Sequence, residues 1–283
     1  MALPDDIKGL LENGVHFGHL SKHWNPKMKN FIFGKKKNVY IIDLEKTAQK
    51  IQEAKEFIKQ KAQAGEKILF VATKKQLRSI VKELAIDCDM PYVVERWVGG
   101  LLTNFSTVRR RINKYQELID KREKGEFEIM VKKEVVKLNR EIERMERSYS
   151  GVATMGKLPD CVFIVDTKKE TACVREANRL SIPVIALIDT DANPDIIDYP
   201  IPGNDDSIKS VRHIVSSLVE AIKEGLEKKS QKDQEVEKEK EKLSTSDDKD
   251  KKTSSKQPLE NKKEENIKSK KDKSPVSSQQ KEE

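Results

Sequence analysis

The feature that most constrains the fold is a series of short apolar runs that alternate with longer amphipathic stretches. The runs occupy residues 39–43, 68–72, 92–94, 161–166 and 184–189. Within each run the apolar residues are continuous and do not alternate with polar ones, which is typical of strands buried on both faces. Such strands belong to parallel sheets that are covered by helices on both sides.

The stretches between these runs carry apolar stripes at helical spacing. Four stripes are present: Thr47, Ile51, Ala54 and Ile58; Leu77, Ile80, Val81 and Leu84; Ala172, Val174, Ala177 and Leu180; and Ile208, Val211, Val215, Leu218 and Ile222. Strands that alternate with helices are joined by right-handed crossovers. The sequence therefore predicts an α/β fold with a parallel, doubly wound sheet flanked by helices.

One connection, over residues 105–149, is too long for a simple crossover and contains two heptad seams. The first seam is Phe105, Val108, Ile112, Tyr115 and Ile119; the second is Val131, Val135, Leu138, Ile142, Met145 and Tyr149. A turn at residues 124–127 separates them. Two ordinary core helices would also fit, but the narrow seams and the 22 charged residues in 109–147 favour a projecting antiparallel coiled-coil hairpin.

The C-terminal fifth of the chain has a different composition. Residues 227–283 contain 17 Lys, 15 acidic residues and only five aliphatic ones, with no aromatic residue or glycine. Such a segment buries too little apolar surface to offset chain entropy, although residues 235–242 could be transiently helical. We therefore predict an α/β core domain over residues 1–104 and 150–226, a hairpin insertion over 105–149 and a disordered tail over 227–283.

A cationic segment near the N-terminus suggests the partner. Residues 13–42 contain six lysines, three histidines and one tryptophan but no acid, and they account for the whole net charge of +6 of the first 226 residues. Lysines pair with phosphates, and aromatic rings stack on unpaired bases. RNA is the favoured ligand, and a solvated basic loop is the alternative.

Further cations are candidates because of their position. Lys74-Lys75 and Lys168-Lys169 follow two predicted strands, where Thr73 and Thr167 fit helix capping boxes with Gln76 and Glu170. Arg96 and Trp97 precede a Gly-Gly pair, and we expect Trp97 to pack in the core. The predicted RNA-binding residues are Lys22, His23, Trp24, Lys27, Lys29, Lys35, Lys36, Lys37, Lys74, Lys75, Arg96, Arg109 and Arg110.

The sequence offers little support for catalysis. Gly151-x4-Gly156-Lys157 resembles a phosphate-binding loop, but Leu158 replaces the metal-binding hydroxyl residue and a strand follows where a helix is required. A nucleotide-binding enzyme on a Rossmann-like sheet remains the second hypothesis. A metal site from His16, His19, Asp189, Asp191, Asp205 and Asp206 stays open, although turn and capping roles are commoner for such aspartates. We predict no cofactor and no catalytic residue.

The cysteines and the hydropathy pattern point to an intracellular setting. Cys88, Cys161 and Cys173 have no metal-binding spacing and apolar neighbours, which favours buried, reduced thiols. No apolar run reaches the length of a membrane span, and the first residues lack the order of a signal peptide.

Several longer strings, in their order along the chain, resemble the small-subunit ribosomal protein S2 family in its bacterial form. The strings start at Gly14 (GVHFGH), Trp24 (WNPKMK), Phe31 (FIFG), Ile41 (IIDLEKT), Arg96 (RWVGGLLTN), Ile182 (IPVIALIDT) and Ile201 (IPGNDD). The resemblance covers about residues 5–226. It implies a flavodoxin-like parallel sheet that carries a coiled-coil hairpin.

The resemblance also implies function. Proteins of this family are structural parts of the cytoplasmic small ribosomal subunit, between its head and body. They contact ribosomal RNA and neighbouring ribosomal proteins, including the first small-subunit protein, which captures messenger RNA; a membrane or a small-molecule substrate is not implied. Two departures from the family are the long polar tail after Gly225 and Ser181, where Gly is usual before Ile-Pro; we expect the latter to be harmless.

Overall fold

The computed structural model describes the backbone of residues 5–250 and the side chains of residues 7–232. Its centre is a five-stranded sheet of β4 (Ile68–Val71), β5 (Tyr92–Val93), β6 (Cys161–Val165), β7 (Val184–Ile188) and β8 (Tyr199–Pro202). The strands are parallel and lie in the order β5-β4-β6-β7-β8. Counted within the sheet the order is 2-1-3-4-5, one of the two common doubly wound orders.

Helices cover both faces of this sheet, as predicted. Residues of β4 alternate between two apolar clusters, with Ile68 and Phe70 in one and Leu69 and Val71 in the other. The first cluster includes α2 (Leu44–Gln63), α3 (Arg78–Asp87) and α7 (Ile208–Asp250), and the second includes α6 (Thr171–Arg179). The apolar runs that form the main sheet are therefore strands with two buried faces.

A second, smaller sheet corrects one strand assignment. Predicted run 39–43 forms β3 (Val39–Ile42), which pairs antiparallel with β1 (Phe17–Leu20) and β2 (Ile32–Lys36) and lies outside the parallel sheet. Lys37 and Asn38 join β2 to β3 with positive φ angles of 45° and 66°. A two-residue connection of this kind closes a hairpin, which pairs β2 and β3 antiparallel. Helix α1 (Asp5–Glu12) leads into this sheet.

The missing fifth parallel strand is β8, which sequence patterning did not identify. Its residues are Tyr199-Pro200-Ile201-Pro202, and proline cannot donate a hydrogen bond to a neighbouring strand. The strand lies at the edge of the sheet, where that loss is tolerated.

The long connection forms two helices packed on each other, α4 (Phe105–Glu123) and α5 (Lys132–Tyr149), which we call the helical hairpin. Gly125, with φ 73°, and a 3-10 turn over Glu126–Ile129 join them. Ile112 and Ile142 are fully buried and belong to the cluster on the α6 side of the sheet, so the hairpin is continuous with the core. Val131 departs from the predicted seam and is 67% exposed.

The C-terminal region begins as a continuation of the last helix of the core. Helix α7 continues through the predicted boundary at residue 227 and ends at Asp250. Residues 251–283 of the predicted tail lie outside the described part, and the chain divides into units of residues 1–234 and 235–283.

Ser181, which follows α6, adopts a left-handed conformation, and the expectation that it is harmless stays a prediction. Its φ is +54°, and the bonds from Ile182 N to Ala177 O and from Ser181 N to Asn178 O form a Schellman cap. Ser181 occupies the left-handed position of this cap. Glycine is favoured at that position, because a Cβ atom crowds the backbone there.

Candidate nucleic-acid interface

Four of the predicted cations of residues 13–42 lie at or beside the turn between β2 and β3: Lys22, Lys35, Lys36 and Lys37. The amide of Ser21 donates to the carbonyl of Asn38 at 2.8 Å, which holds Lys22 beside that turn. We define the basic surface as the exposed, unpaired lysines of this region: Lys22, Lys29, Lys35, Lys36 and Lys37. Among the described side chains, none of them has a carboxylate within 4.0 Å. The basic surface can therefore accept phosphates without first breaking an ion pair.

The end of β7 anchors this region to the main sheet. The hydroxyl of Thr190 accepts from the amide of His19 at 3.0 Å, and its carbonyl accepts from the amide of Asn25 at 2.8 Å. Gly18 passes so close that a Cβ atom there would lie 2.6 Å from the Thr190 methyl group. The basic surface is thus attached to a rigid element.

The aromatic residues of the segment lie in different environments. Phe33 is 79% exposed, because a register shift between Ile32 and Gly34 leaves it outside the ladder with β3. Trp24 is half-buried against Tyr40, with ring centroids 5.0 Å apart, and His23 is exposed. Phe33 and His23 are accessible for base stacking, whereas Trp24 is partly engaged.

The other predicted cations divide into engaged and exposed ones. Lys27 pairs with Asp195 at 2.5 Å. Arg109 donates to the carbonyls of Ala153 and Met155 at 3.1 and 3.0 Å, which ties the base of the helical hairpin to the chain that follows it. Three cations are exposed and make no ion pair among the described side chains: Lys75, Arg96 and Arg110.

Lys74 is the most strongly neutralised of the predicted site residues. Its ammonium group lies 2.7 Å from Asp205, 2.8 Å from Asp206 and 2.9 Å from Asp166, and its side chain is only 15% exposed. Burial opposes the charge, but the three carboxylates dominate and raise the pKa of Lys74 above its ordinary value. Lys74 holds three loops together at the carboxyl edge of the sheet. Its three N–H donors face carboxylates, so none is left for a phosphate.

The predicted capping boxes are wrong. Helices α3 and α6 begin at Arg78 and Thr171, several residues after the threonines. Instead, the hydroxyl of Thr73 bonds to the carboxyl group of Glu170 across the ends of β4 and β6. Burial raises the pKa of Glu170, which is 3% exposed, against the opposing effect of that bond. The second predicted lysine pair is partly engaged as well, because Lys168 lies 2.9 Å from Asp191.

His19 completes this arrangement at the carboxyl edge. Its Nδ1 atom lies 2.7 Å from Asp189, and its Nε2 atom lies 3.6 Å from Asp206. The hydrogen bond to Asp189 raises the pKa of His19 to about 9. Burial raises the pKa of Asp205 to about 7, against the opposing effect of Lys74.

The structure gives the metal hypothesis no support. Over the described residues, no group of three or more His, Cys, Asp or Glu side chains could hold an ion. His16 is not among the partners of His19, and Lys74 already supplies a cation between Asp166, Asp205 and Asp206. The Nδ1 atom of His16 is buried without a hydrogen-bond partner next to Phe17.

Nucleotide binding is also disfavoured by the geometry. Ligands of doubly wound sheets bind at the carboxyl edge where the strand order reverses, here between β4 and β6. Lys74, Asp166, Thr73 and Glu170 meet there and bond to one another. Gly151 of the loop-like motif packs against β5 instead, where a Cβ atom would lie 2.1 Å from the Tyr92 carbonyl oxygen.

Trp97 packs in the core, as we expected. It is 8% exposed and donates from Nε1 to Glu176 of α6 at 3.0 Å. The same carboxylate accepts from the amides of Gly100, Leu102 and Thr103. Burial alone would raise the pKa of Glu176, but these bonds hold it below its ordinary value. Glu176, which the sequence did not single out, shapes the entry to the helical hairpin.

The three cysteines are free and buried, as predicted. Burial raises the pKa of the Cys88 and Cys161 thiols to about 12 and that of Cys173 well above its ordinary value. Within residues 5–250, no helix is both long and apolar enough to cross a membrane.

Comparison with known proteins assigns this arrangement to a family. Residues 10–225 match the sequence model of the family described as Ribosomal protein S2. The chain belongs to the ribosomal protein S2 family. It is 49% identical over 221 residues to the small ribosomal subunit protein uS2 of Coprothermobacter proteolyticus, covering 78% of this chain and 82% of that protein. It is 48% identical over 219 residues to the uS2 of Campylobacter concisus, covering 77% and 84%.

Membership in the S2 family settles the broad class of the protein. Family proteins are structural, non-enzymatic components of the small subunit, so this chain is a ribosomal protein of translation, located in the cytoplasmic ribosome. The matched range ends before residue 227, so the family assignment covers the α/β core and the helical hairpin.

Proposed function

We propose that the protein is a structural constituent of the small ribosomal subunit that binds ribosomal RNA through the basic surface. The proposal rests on one observation: the lysines of the basic surface are not neutralised, whereas Lys74 is. The lysines of the basic surface are exposed without carboxylate partners among the described side chains, while Lys74, of the same residue type, lies among three carboxylates. Only unpaired cations release counterions from a phosphate backbone at little cost.

The remaining exposed cations extend this interface. Lys75, Arg96 and Arg110 are exposed, and the accessible rings of His23 and Phe33 could stack on unpaired bases. Lys27 contributes only if its ion pair with Asp195 opens. We leave Lys74 and Arg109 out of the RNA contacts, because internal acceptors hold both side chains.

The neighbouring ribosomal proteins form the second class of partner. The S2 family assignment supports protein neighbours in the small subunit. We propose that they include the first small-subunit protein, which captures messenger RNA. We further propose that the helical hairpin, inserted at residues 105–149, is an antiparallel coiled coil whose seam is continuous with the core. The buried Val108, Ile112 and Ile142 along the facing seams support this geometry.

The decisive experiment measures the salt dependence of binding to purified small-subunit ribosomal RNA. In the full chain, Lys35, Lys36 and Lys37 are changed together to alanine. Each lost phosphate contact reduces the slope of log affinity against log salt by about 0.7–0.9, so we expect the slope to flatten by about two units.

A matched control removes the same charge elsewhere. Lys8, Lys209 and Lys228 are exposed and make no ion pair among the described side chains, and they lie outside residues 13–42. Changing these three to alanine should leave the slope within about half a unit of the wild-type value. Equal slopes for both triple variants would reject the basic surface as the RNA-binding face.

A further inference from the structure

The outer face of α5 carries a cationic stripe that the basic surface does not explain. Every third or fourth residue is basic: Lys133, Lys137, Arg140, Arg144 and Arg147. All five are exposed, and none makes an ion pair among the described side chains. We call these five residues the α5 stripe.

The charges of α5 are segregated by face. At 100° per residue the α5 stripe spans about 80°, on the side of the helix opposite the seam residues Leu138 and Ile142. The four acids of α5 lie outside it: Glu134 and Glu141 on one flank, Glu143 and Glu146 on the other. Glu141 is engaged with Lys114 of α4 at 2.7 Å.

The acids beside the stripe do not neutralise it. Opposite charges three or four residues apart can pair on a helix, and Lys137–Glu141 and Glu143–Arg147 have that spacing. Nevertheless, no stripe residue lies within 4.0 Å of a carboxylate among the described side chains, and Glu141 pairs with Lys114 instead. The five cations are therefore available to a polyanion.

The chemistry of the stripe selects the kind of polyanion. Single-stranded RNA is bound by aromatic rings that stack on bases, and the α5 stripe contains none. Protein interfaces have apolar centres depleted of lysine, and the apolar residue beside the stripe is Val136. Double-stranded RNA is recognised mostly through its backbone and shape, which needs regularly spaced cations alone.

We propose that the α5 stripe binds the sugar-phosphate backbone of a double-stranded RNA segment without reading its sequence. Lys133 and Arg147 are separated by about 21 Å along the helix axis, so the stripe can follow several successive phosphates. This inference extends the proposed function by giving the protein a second RNA-binding surface on a different element, selective for paired RNA.

The test compares two probes of equal length and arbitrary sequence, a fully paired RNA duplex and an unstructured single strand. In the full chain, Lys137, Arg140 and Arg144 are changed together to glutamine. The control changes Arg111, Lys121 and Arg122 of α4 to glutamine, which removes the same charge from exposed positions of the same hairpin. The melting temperature of each free variant is measured in low salt.

For the duplex we expect the α5 variant to flatten the salt slope by about two units and the control by less than one. We expect the slope for the single strand to be unchanged, and both free variants to show a cooperative melting transition, which confirms that they are folded. Equal effects of the two variants or an equal loss on both probes would overturn the inference. The inference would also be overturned if the α5 variant bound the duplex normally but lost an acidic protein neighbour in the assembled subunit.

The outcome is separable from that of the proposed function. If the Lys35, Lys36 and Lys37 variant binds ribosomal RNA normally while the α5 variant loses the duplex, the basic surface fails and the α5 stripe stands. If only the first variant is impaired, the α5 stripe fails and the basic surface stands.

Discussion

The carboxyl edge of the main sheet and the basic surface are both rich in cations, yet their cations are in opposite states. At the carboxyl edge, Lys74 lies within 3 Å of three carboxylates and Lys168 within 3 Å of one. On the basic surface, Lys35 to Lys37 have no carboxylate within 4 Å among the described side chains. A lysine pair in the sequence shows that positive charge is present. Whether that charge is available to a phosphate depends on which acids the fold brings near it.

The two tryptophans provide the largest expected contrast between the regions. Trp97→Ala at the carboxyl edge should lower the free energy of unfolding by about 4 kcal/mol, because it removes a buried ring and a partner of Glu176. Trp24→Ala beside the basic surface should cost about 1 kcal/mol, since its ring is half exposed. Urea unfolding measures both variants, and equal losses would contradict the contrast.

The adjacent lysines at the end of β4 sharpen the same contrast. Lys74→Met should lower the free energy of unfolding by about 3 kcal/mol, because it leaves the buried carboxylate of Asp205 next to Asp166 without a counter-charge. Lys75→Met is the control: its side chain is exposed, and we expect a change within about 0.5 kcal/mol. The account is contradicted if the two variants unfold at the same urea concentration.

The pH dependence of stability tests the ion pair of His19. The pKa of His19 is about 9 in the folded chain and about 6.5 when unfolded, so its contribution is complete below pH 6.5 and is lost as pH rises through 9. Allowing for solvent screening, wild type should lose about 2 kcal/mol more than His19→Gln between pH 6 and pH 10. His23→Gln, at an exposed position, should follow the wild-type curve; parallel curves for all three proteins would remove the ion pair from the account.

Most strands of the main sheet could be predicted from the sequence, and the errors have physical reasons. Continuous apolar runs predicted four of the five parallel strands, because strands buried on both faces have a distinctive composition. Strand β8 was missed because Pro200 and Pro202 disguise it. The run at residues 39–43 was placed in the wrong sheet, since apolar character does not reveal which strand is the neighbour.

The candidate site was predictable where the relevant residues are close in sequence. The absence of acids from residues 13–42 identified the basic surface directly. The partners of Lys74 lie more than 90 residues away along the chain, and Asp195 is still more remote from Lys27. Neutralisation by such remote acids has no local signal in the sequence. The sequence alone therefore could not distinguish the exposed, unpaired cations from the neutralised ones.

The smallest expected effect on stability is at Ser181, in the cap that follows α6. Ser181→Gly should raise the free energy of unfolding by about 1 kcal/mol, because glycine adopts the left-handed conformation at φ +54° without the Cβ clash. Ser181→Ala is the matched control and should bring no gain, since it keeps the Cβ atom. A Gly variant no more stable than the Ala variant would show that the cap is unstrained.

Lysine reactivity in the free protein and in assembled small subunits distinguishes the exposed lysines of the basic surface from the neutralised Lys74. An acylating reagent is applied to both forms, and modification is quantified at each lysine by mass spectrometry. The account predicts that Lys22, Lys29 and Lys35 to Lys37 react readily in the free protein and become protected in the subunit, while Lys74 reacts weakly in both because its ammonium group is held by three carboxylates. Continued reactivity of Lys35 to Lys37 in assembled subunits would contradict the assignment of the basic surface to ribosomal RNA.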